Sequence, residues 1–529
     1  MTERQHTPDS GRARPPGGHR TGASRTGTYS QTSLQAHRLG DDASGALLFF
    51  MLVFGPWAFG TTQPWAIHCM TAAGLALGGL LLLKLFIRHV RAFPAARWEN
   101  YSPRTGTLSR REPAFPRRLK KILAWLTVAF LAECLVSAWN AAAWYTPETR
   151  VFHYQAHLDW LPHSFDAGRS WAWFWKYLGL AAAFWAAVDW LGGLTPAEER
   201  ALPGLAGQPP PLPARWRALL WLLALNGTIL ALECILQRES GTDKLLFVLT
   251  PHLNQGGVSQ FGPYAYRSNA AQYFNLIWPL TLGFWLALHR AARGRPGPHH
   301  ALLASAALMA ACPIISTSRG GALVSAGMLL LTLAFLAFAA RRTATADQLA
   351  PASPGRPATG PLVLCLGTAL LLGLGFGWHA LAPRMEQIGE GYDGRQALYA
   401  AAAPMARDYP LYGTGPGTYA TVFQLYRFSE KISWNEQVHD DWLETRITFG
   451  WLGLVLLLAA LALTVLRGFL PGGVRGQPSL ATFAWLALGG CLVEARYDFP
   501  FQVHSTLFMF LLLCALLLNL GRGSVVSDR

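Results

Sequence analysis

The sequence predicts an all-α polytopic membrane protein, with about twelve transmembrane helices and one long external segment between the ninth and the tenth. Three observations predict it. Of 529 residues 52% are hydrophobic and only 14% charged, the apolar residues fall in long runs, and Lys and Arg are shared unevenly between alternate connections. A helix of about 20 apolar residues crosses roughly 30 Å of hydrocarbon, where only helices and closed barrels pair every backbone amide and carbonyl.

Taken in order, residues 1–43 are rich in Gly, Ser, Thr, Pro and Arg and lack apolar periodicity, the composition of a disordered, basic cytoplasmic tail. The first apolar run starts too late for a signal peptide. Spans are expected near 44–60, 64–87, 119–141, 171–191, 216–236, 270–288, 300–316, 320–340, 361–382, 449–467, 479–493 and 502–520, with 44–520 forming one transmembrane domain and 521–529 a second cytoplasmic tail. The seventh span is interrupted by Pro313, and the tenth opens on Phe449-Gly450-Trp451-Leu452-Gly453. With both termini in the cytoplasm, cytoplasmic segments hold 30 of the 44 Lys and Arg, external segments 13, and Lys176 lies within a span. The formal charge of +15 is therefore mainly a topology signal. Nucleic acid is excluded as a partner, because the basic residues do not gather on a soluble domain with stacking aromatics. Tryptophans such as Trp57, Trp65, Trp139 and Trp144 stand at span ends, where an amphipathic ring suits the headgroup level of the membrane lipids. All seven cysteines lie in or beside spans and read as packing residues.

Under this parity four polar features fall on one external face. They are Gln260-Phe261-Gly262-Pro263-Tyr264-Ala265-Tyr266-Arg267-Ser268-Asn269 entering the sixth span, the short turn Ser316-Thr317-Ser318-Arg319-Gly320-Gly321, Arg395 with the Gly-rich Tyr409–Tyr419 stretch, and Val438-His439-Asp440-Asp441-Trp442-Leu443-Glu444. The last two belong to the polar segment 383–448, far longer than a connection between neighbouring spans requires. Arginine stays charged at any relevant pH, and its planar fork matches phosphate oxygens in pairs, so Arg267, Arg319 and Arg395 suit a lipid diphosphate. His439 can take a proton near neutral pH and suits activation of a sugar hydroxyl. Asp440, Asp441 and Glu444 are the acidic neighbours able to orient it. Singly, each feature has a plainer reading: an arginine snorkelling at the interface, a solvated loop histidine, a turn that is only a turn.

As an ordered set over residues 255–455, these motifs resemble the O-antigen ligase and O-antigen polymerase superfamily of membrane glycosyltransferases. The first half of the chain matches only in hydropathy, and Asp440 stands where the family usually has Asn. The resemblance implies a metal-independent enzyme of the bacterial inner membrane with no cofactor, its active site periplasmic in the 383–448 loop. Its donor would be an undecaprenyl-diphosphate-linked glycan and its acceptor a lipid or glycan. His439 would be catalytic, with Arg267, Arg319, Arg395, Tyr264, Asn269 and Asp440 binding substrate. Ligase, polymerase and protein O-glycosyltransferase share this scaffold.

Three other readings compete with this one. His153 and His157, with His163 nearby, would make an i, i+4 metal pair on a helix, but Trp160-Leu161-Pro162 argues for an interfacial loop. A cytoplasmic nucleotide-sugar transferase is disfavoured, for want of an Asp-x-Asp pair or a phosphate loop with its lysine. A transporter or flippase for lipid-linked sugars would need ionisable residues inside the bundle, of which Glu133, Asp189 and Glu233 are the main ones, and no internal repeat is evident.

Overall fold

A computed structural model of the chain describes residues 31–91, 95–102, 107–108, 114–205, 212–251, 254, 256–347, 359–427, 436–468 and 477–520. Of the tails expected at 1–43 and 521–529, residues 1–30 and 521–529 lie outside the described residues. Among those described are fifteen α-helices: α1 Gln31–Trp57, α2 Pro64–Val90, α3 Ala114–Trp139, α4 Ala167–Gly192, α5 Pro196–Ala201, α6 Ala214–Ser240, α7 Arg267–Ala291, α8 Ala301–Ile315, α9 Arg319–Asp347, α10 Thr359–Glu386, α11 Ile388–Asp408, α12 Tyr419–Val422, α13 Asp441–Gly468, α14 Pro478–Glu494 and α15 His504–Asn519. Twelve of these, all but α5, α11 and α12, fall on the twelve expected spans. Eight are long and apolar enough to cross a membrane by length and composition. The chain is an all-α, multi-pass membrane protein. Helix α1 starts at Gln31, so residues 31–43, expected in the tail, are helical.

The central post is α7, whose residues 268–287 are all buried. A helix surrounded on every side needs no amphipathic stripe, and α7 accordingly carries aromatic and polar residues all round, packed against α8, α14 and α15. At the end of the bundle away from His439, the Asp189 carboxylate of α4 pairs with Arg88 at 2.6 Å, Lys84 at 3.0 Å and Arg97, fastening α2 to α4. Satisfied from three sides, that charge has a structural role.

The 383–448 segment is largely folded. Helix α10 runs to Glu386, and α11 supplies 21 further residues. Ala402 and Met405 of α11 pack with Tyr419, Val422, Val438 and Ile447 into a small core of their own. Those apolar residues are spread through a polar stretch, too sparse to form a span but sufficient to hold a cap on the bundle.

The cap is joined to the bundle at Gly450, where α13 kinks at φ +59° and ψ −158°. A kink leaves backbone groups on either side without helical partners, and the Gly-rich turn supplies them. Thr414 N donates to Ile447 O at 2.8 Å and Gly415 N to Thr448 O at 3.0 Å, while Trp451 N donates to Pro410 O at 2.9 Å and Leu452 N to Leu411 O at 3.1 Å. A Cβ on Gly450 would collide with the Leu411 carbonyl, and one on Gly415 would stand 2.6 Å from Ser164 Cβ. Gly450→Ala is therefore expected to lose about 1–3 kcal/mol through left-handed backbone strain and that collision. The loss should show as earlier heat-induced aggregation in detergent; wild-type thermal behaviour would mean that the kink does not depend on glycine.

Candidate active site

Each site segment is held by a local device. Ser318 is the N-cap of α9, its Oγ accepting from Gly321 N at 3.3 Å and lying 3.0 Å from Ser268 Oγ of α7. Thr317 before it takes φ +60°. A Cβ on Gly321 would strike Ala271 Cβ, so glycine there lets α7 and α9 meet closely at the ends that carry Arg267 and Arg319.

Asp440 caps α13: its Oδ1 accepts from Trp442 N at 3.1 Å and Leu443 N at 3.2 Å, and its Oδ2 pairs with Arg496 at 2.5 Å. Burial pushes its carboxyl above the usual range, against the pull of the Leu443 and Trp442 amides and Arg496. Asp441 ties this turn to the 495–503 connection, accepting from Phe501 N at 2.7 Å and Gln502 Nε2 at 2.8 Å, while its own N donates to Ala495 O at 2.8 Å. Glu444 accepts from Val438 N at 3.0 Å. The three acidic residues next to His439 in sequence thus fix its loop. The carboxylate that meets its ring is a fourth, Asp498, whose Oδ1 lies 3.0 Å from Nδ1.

His439 takes φ +62°, a left-handed backbone uncommon outside glycine, which turns its side chain away from α13. Around it stand Phe499, with ring centroids 4.8 Å apart, and Tyr266, at 6.2 Å and stacked on Phe499. The Tyr399 hydroxyl donates to His439 O at 2.7 Å, and burial pushes that phenol up to about 12. Arg395 donates Nη1 to Tyr497 O and places Nη2 3.8 Å from Asp498 Oδ2.

The other two arginines stand close by. Tyr266 feels the charges of Arg395, Arg267 and Asp498 together, and Arg267 those of Arg238, Arg319 and Arg384. Arg319 donates Nη1 to Gln387 O at 2.8 Å at the end of α10, and a Cβ on Gly391 would collide with its guanidinium. Arg267 donates Nη1 to Val258 O. Each expected arginine therefore gives one arm of its fork to a backbone carbonyl. So many guanidinium groups in mutual repulsion at one end of a bundle make a place for an anion.

The structure brings together His439, Arg267, Arg319, Arg395 and Asp440 from the expected site residues. It places Tyr264 elsewhere, 1% exposed in a turn against Gly60. Tyr266, two residues on, faces His439 instead. Asn269 lies buried in the first turn of α7, below the arginines. Residues that the sequence reading missed are Asp498, Arg496, Arg238 and Arg384. The signal for the first two was the charged cluster Glu494-Ala495-Arg496-Tyr497-Asp498 in a short connection on the same side by parity. His153 and His157 do not form the helical pair of the alternative metal reading: His153 is in the strand Val151–Tyr154 and stacks on Trp144, and His157 pairs with Asp159 at 2.9 Å. Below the His439 loop, an apolar cavity of about 250 Å³ among α3, α4, α13 and α15 is lined by Phe130, Tyr177, Phe449 and Leu457 and reaches Trp442 at its polar end.

Residues 304–458 match the family model described as O-Antigen ligase, which supports the O-antigen ligase superfamily for this chain. The match runs from the first turn of α8 to the middle of α13, and so includes Arg319, Arg395 and His439. A comparison with curated proteins gave no match.

Proposed function

We infer, from the match to the O-antigen ligase family, that this chain is a glycosyltransferase that moves a glycan from an undecaprenyl diphosphate donor to a lipid or glycan acceptor on the periplasmic face of the inner membrane. The observation that carries the reading is the His439–Asp498 pair with Arg395 and Tyr266 beside it, at the bundle end that also holds Arg267 and Arg319. With His439 Nδ1–H donating to Asp498, Nε2 is left as a base. The acceptor hydroxyl oxygen bonds to the anomeric carbon and its proton passes to Nε2. The bond from that carbon to the diphosphate oxygen breaks, and its electron pair leaves with the lipid diphosphate, whose charge the arginines balance. No step calls for a metal. The apolar cavity among α3, α4, α13 and α15 has the character to take part of a polyprenyl chain.

Purified protein with a lipid-linked donor tests the class. Glycan joined to a new acceptor means an enzyme, whereas donor moved across a bilayer without bond formation means a transporter. For the transporter reading, Asp189 is already committed to its ion-pair network. Ligase and polymerase separate in a deletion strain: unattached polymer marks a ligase, single lipid-linked repeats a polymerase.

The periplasmic face is supported by the asymmetry of Lys and Arg. A cysteine replacing exposed Asp393 on α11 should react with a membrane-impermeant thiol reagent in outer-membrane-permeabilised cells. Labelling only after inner-membrane lysis would put the site on the other face.

Asp498 holds the imidazole in place and does not touch the reacting atoms. Asp498→Asn should lower kcat about 10–100-fold with little change in KM, as expected of a partner that orients a catalytic group. Unchanged kcat would remove this carboxylate from the mechanism.

A further inference from the structure

At the end of α7 opposite Arg267, three histidines come together outside the site described above. His289 sits on the last turns of α7, and His299 and His300 on the single 3-10 turn Pro298–His300 that leads into α8. One ring nitrogen from each lies within 4.8 Å of the other two. His289 Nδ1 and His299 Nε2 are 3.2 Å apart. Two nitrogens bound to one tetrahedral zinc at about 2.0–2.1 Å stand roughly 3.3–3.4 Å apart, so this pair already has the spacing of ligands.

The chain builds this arrangement deliberately from local parts. Pro298 fixes φ at the start of the turn, and Gly297 leaves room for His299, whose Nδ1 would lie 3.1 Å from a Cβ placed there. Nδ1 of His299 thus faces the chain and Nε2 faces His289. His289 is buried and stacked on Trp285, with centroids 4.9 Å apart and planes 16° from parallel, which restricts its ring. His299 is buried as well, while His300 is partly open to solvent. Imidazoles stacked this closely repel one another once protonated, but a cation that takes a lone pair from each turns the crowding into coordination.

We propose that His289, His299 and His300 bind one divalent late first-row metal ion, with zinc the best fit, at the membrane end opposite the arginines. Three neutral imidazoles suit zinc, nickel and copper and disfavour magnesium and calcium, which take oxygen ligands. Three protein ligands leave a fourth position for water, on the open side of His300. The ion clips α7 to the start of α8. Those two helices lead to Arg267 and, through the 316–318 turn, to Arg319, but the clip lies roughly 33 Å along α7 from Arg267 and takes no part in glycan transfer.

The test uses the full-length chain in detergent with an affinity tag free of histidine, at a pH where imidazole is neutral. After addition of zinc and gel filtration, wild-type protein is expected to retain about one zinc per chain, and cobalt in its place should give the strong visible absorption of a four-coordinate site. His289→Gln, His299→Gln and His300→Gln should each weaken zinc binding about tenfold or more, and zinc should raise the melting temperature of wild type but not of the triple variant. His157→Gln, in the connection between the strand Val151–Tyr154 and α4, should bind as wild type does. Wild-type protein that retains no zinc, or a triple variant that retains as much as wild type, overturns the site. The first outcome needs no variant to fold, and would leave His289 and His299 as a hydrogen-bonded pair.

Discussion

His439→Asn should insert and accumulate like wild type and lose about 10²–10⁴-fold of glycan transfer, the usual contribution of a positioned proton carrier. Asparagine is the informative replacement, because His439 sits at φ +62° and asparagine tolerates that backbone where alanine adds about 1–2 kcal/mol of strain. His439→Ala should lose the same activity with somewhat lower abundance. Full transfer by either variant at matched membrane level would take the histidine out of the chemistry. Activity that falls only in proportion to abundance would instead make His439 a residue that shapes the turn before α13.

Arg267→Ala, Arg319→Ala and Arg395→Ala should each lower transfer about 10²–10³-fold, the scale seen when one preorganised donor to developing negative charge is removed. Each also holds a backbone carbonyl, at Val258, Gln387 and Tyr497 respectively, so alanine alone does not separate clamp from scaffold. Lysine does. It can still donate to that carbonyl and keeps the charge, but it lacks a second arm in a fixed plane to meet a phosphate oxygen. Lysine variants should therefore be nearly as impaired as alanine variants while melting like wild type. Wild-type rates from all three lysine variants would mean that generic positive charge suffices and the fork geometry is unused.

Asp440 shows how a sequence difference can have a plain structural meaning. The resembling family usually has Asn after the loop histidine, and here Asp440 caps α13 with its side-chain oxygen. Asn and Asp are about equally good in that position, so the cap survives either residue, and the pairing with Arg496 is what the carboxylate adds.

By itself the sequence determined the all-α, multi-pass class, located the twelve apolar runs that become helices and displayed the arginine and histidine motifs of the long polar segment, whose side it gives as an expectation. These are properties of runs and counts: hydrocarbon demands about 20 apolar residues per crossing, and Lys and Arg mark alternate connections, whatever the helices then do. It missed the folding of 383–448 into α11 and a small core, because Ala402, Met405, Val438 and Ile447 are too widely spaced to show a period. It also offered Asp440, Asp441 and Glu444 as partners for His439, since neighbours in sequence are all that a motif displays. Only the tertiary structure decided that Asp498 orients the ring, that Tyr266 and not Tyr264 faces it, and that Gly450 opens α13 so that the Gly-rich turn can bond across the gap. Asp498 lies 59 residues from His439 and reaches it because α14 carries the chain back across the bundle, and because Asp441 fastens the 495–503 connection against the histidine's own turn. Such contacts depend on how the ends of separate helices are gathered around α7, and each helix's own residues specify its length and burial but not which neighbour's end it will meet.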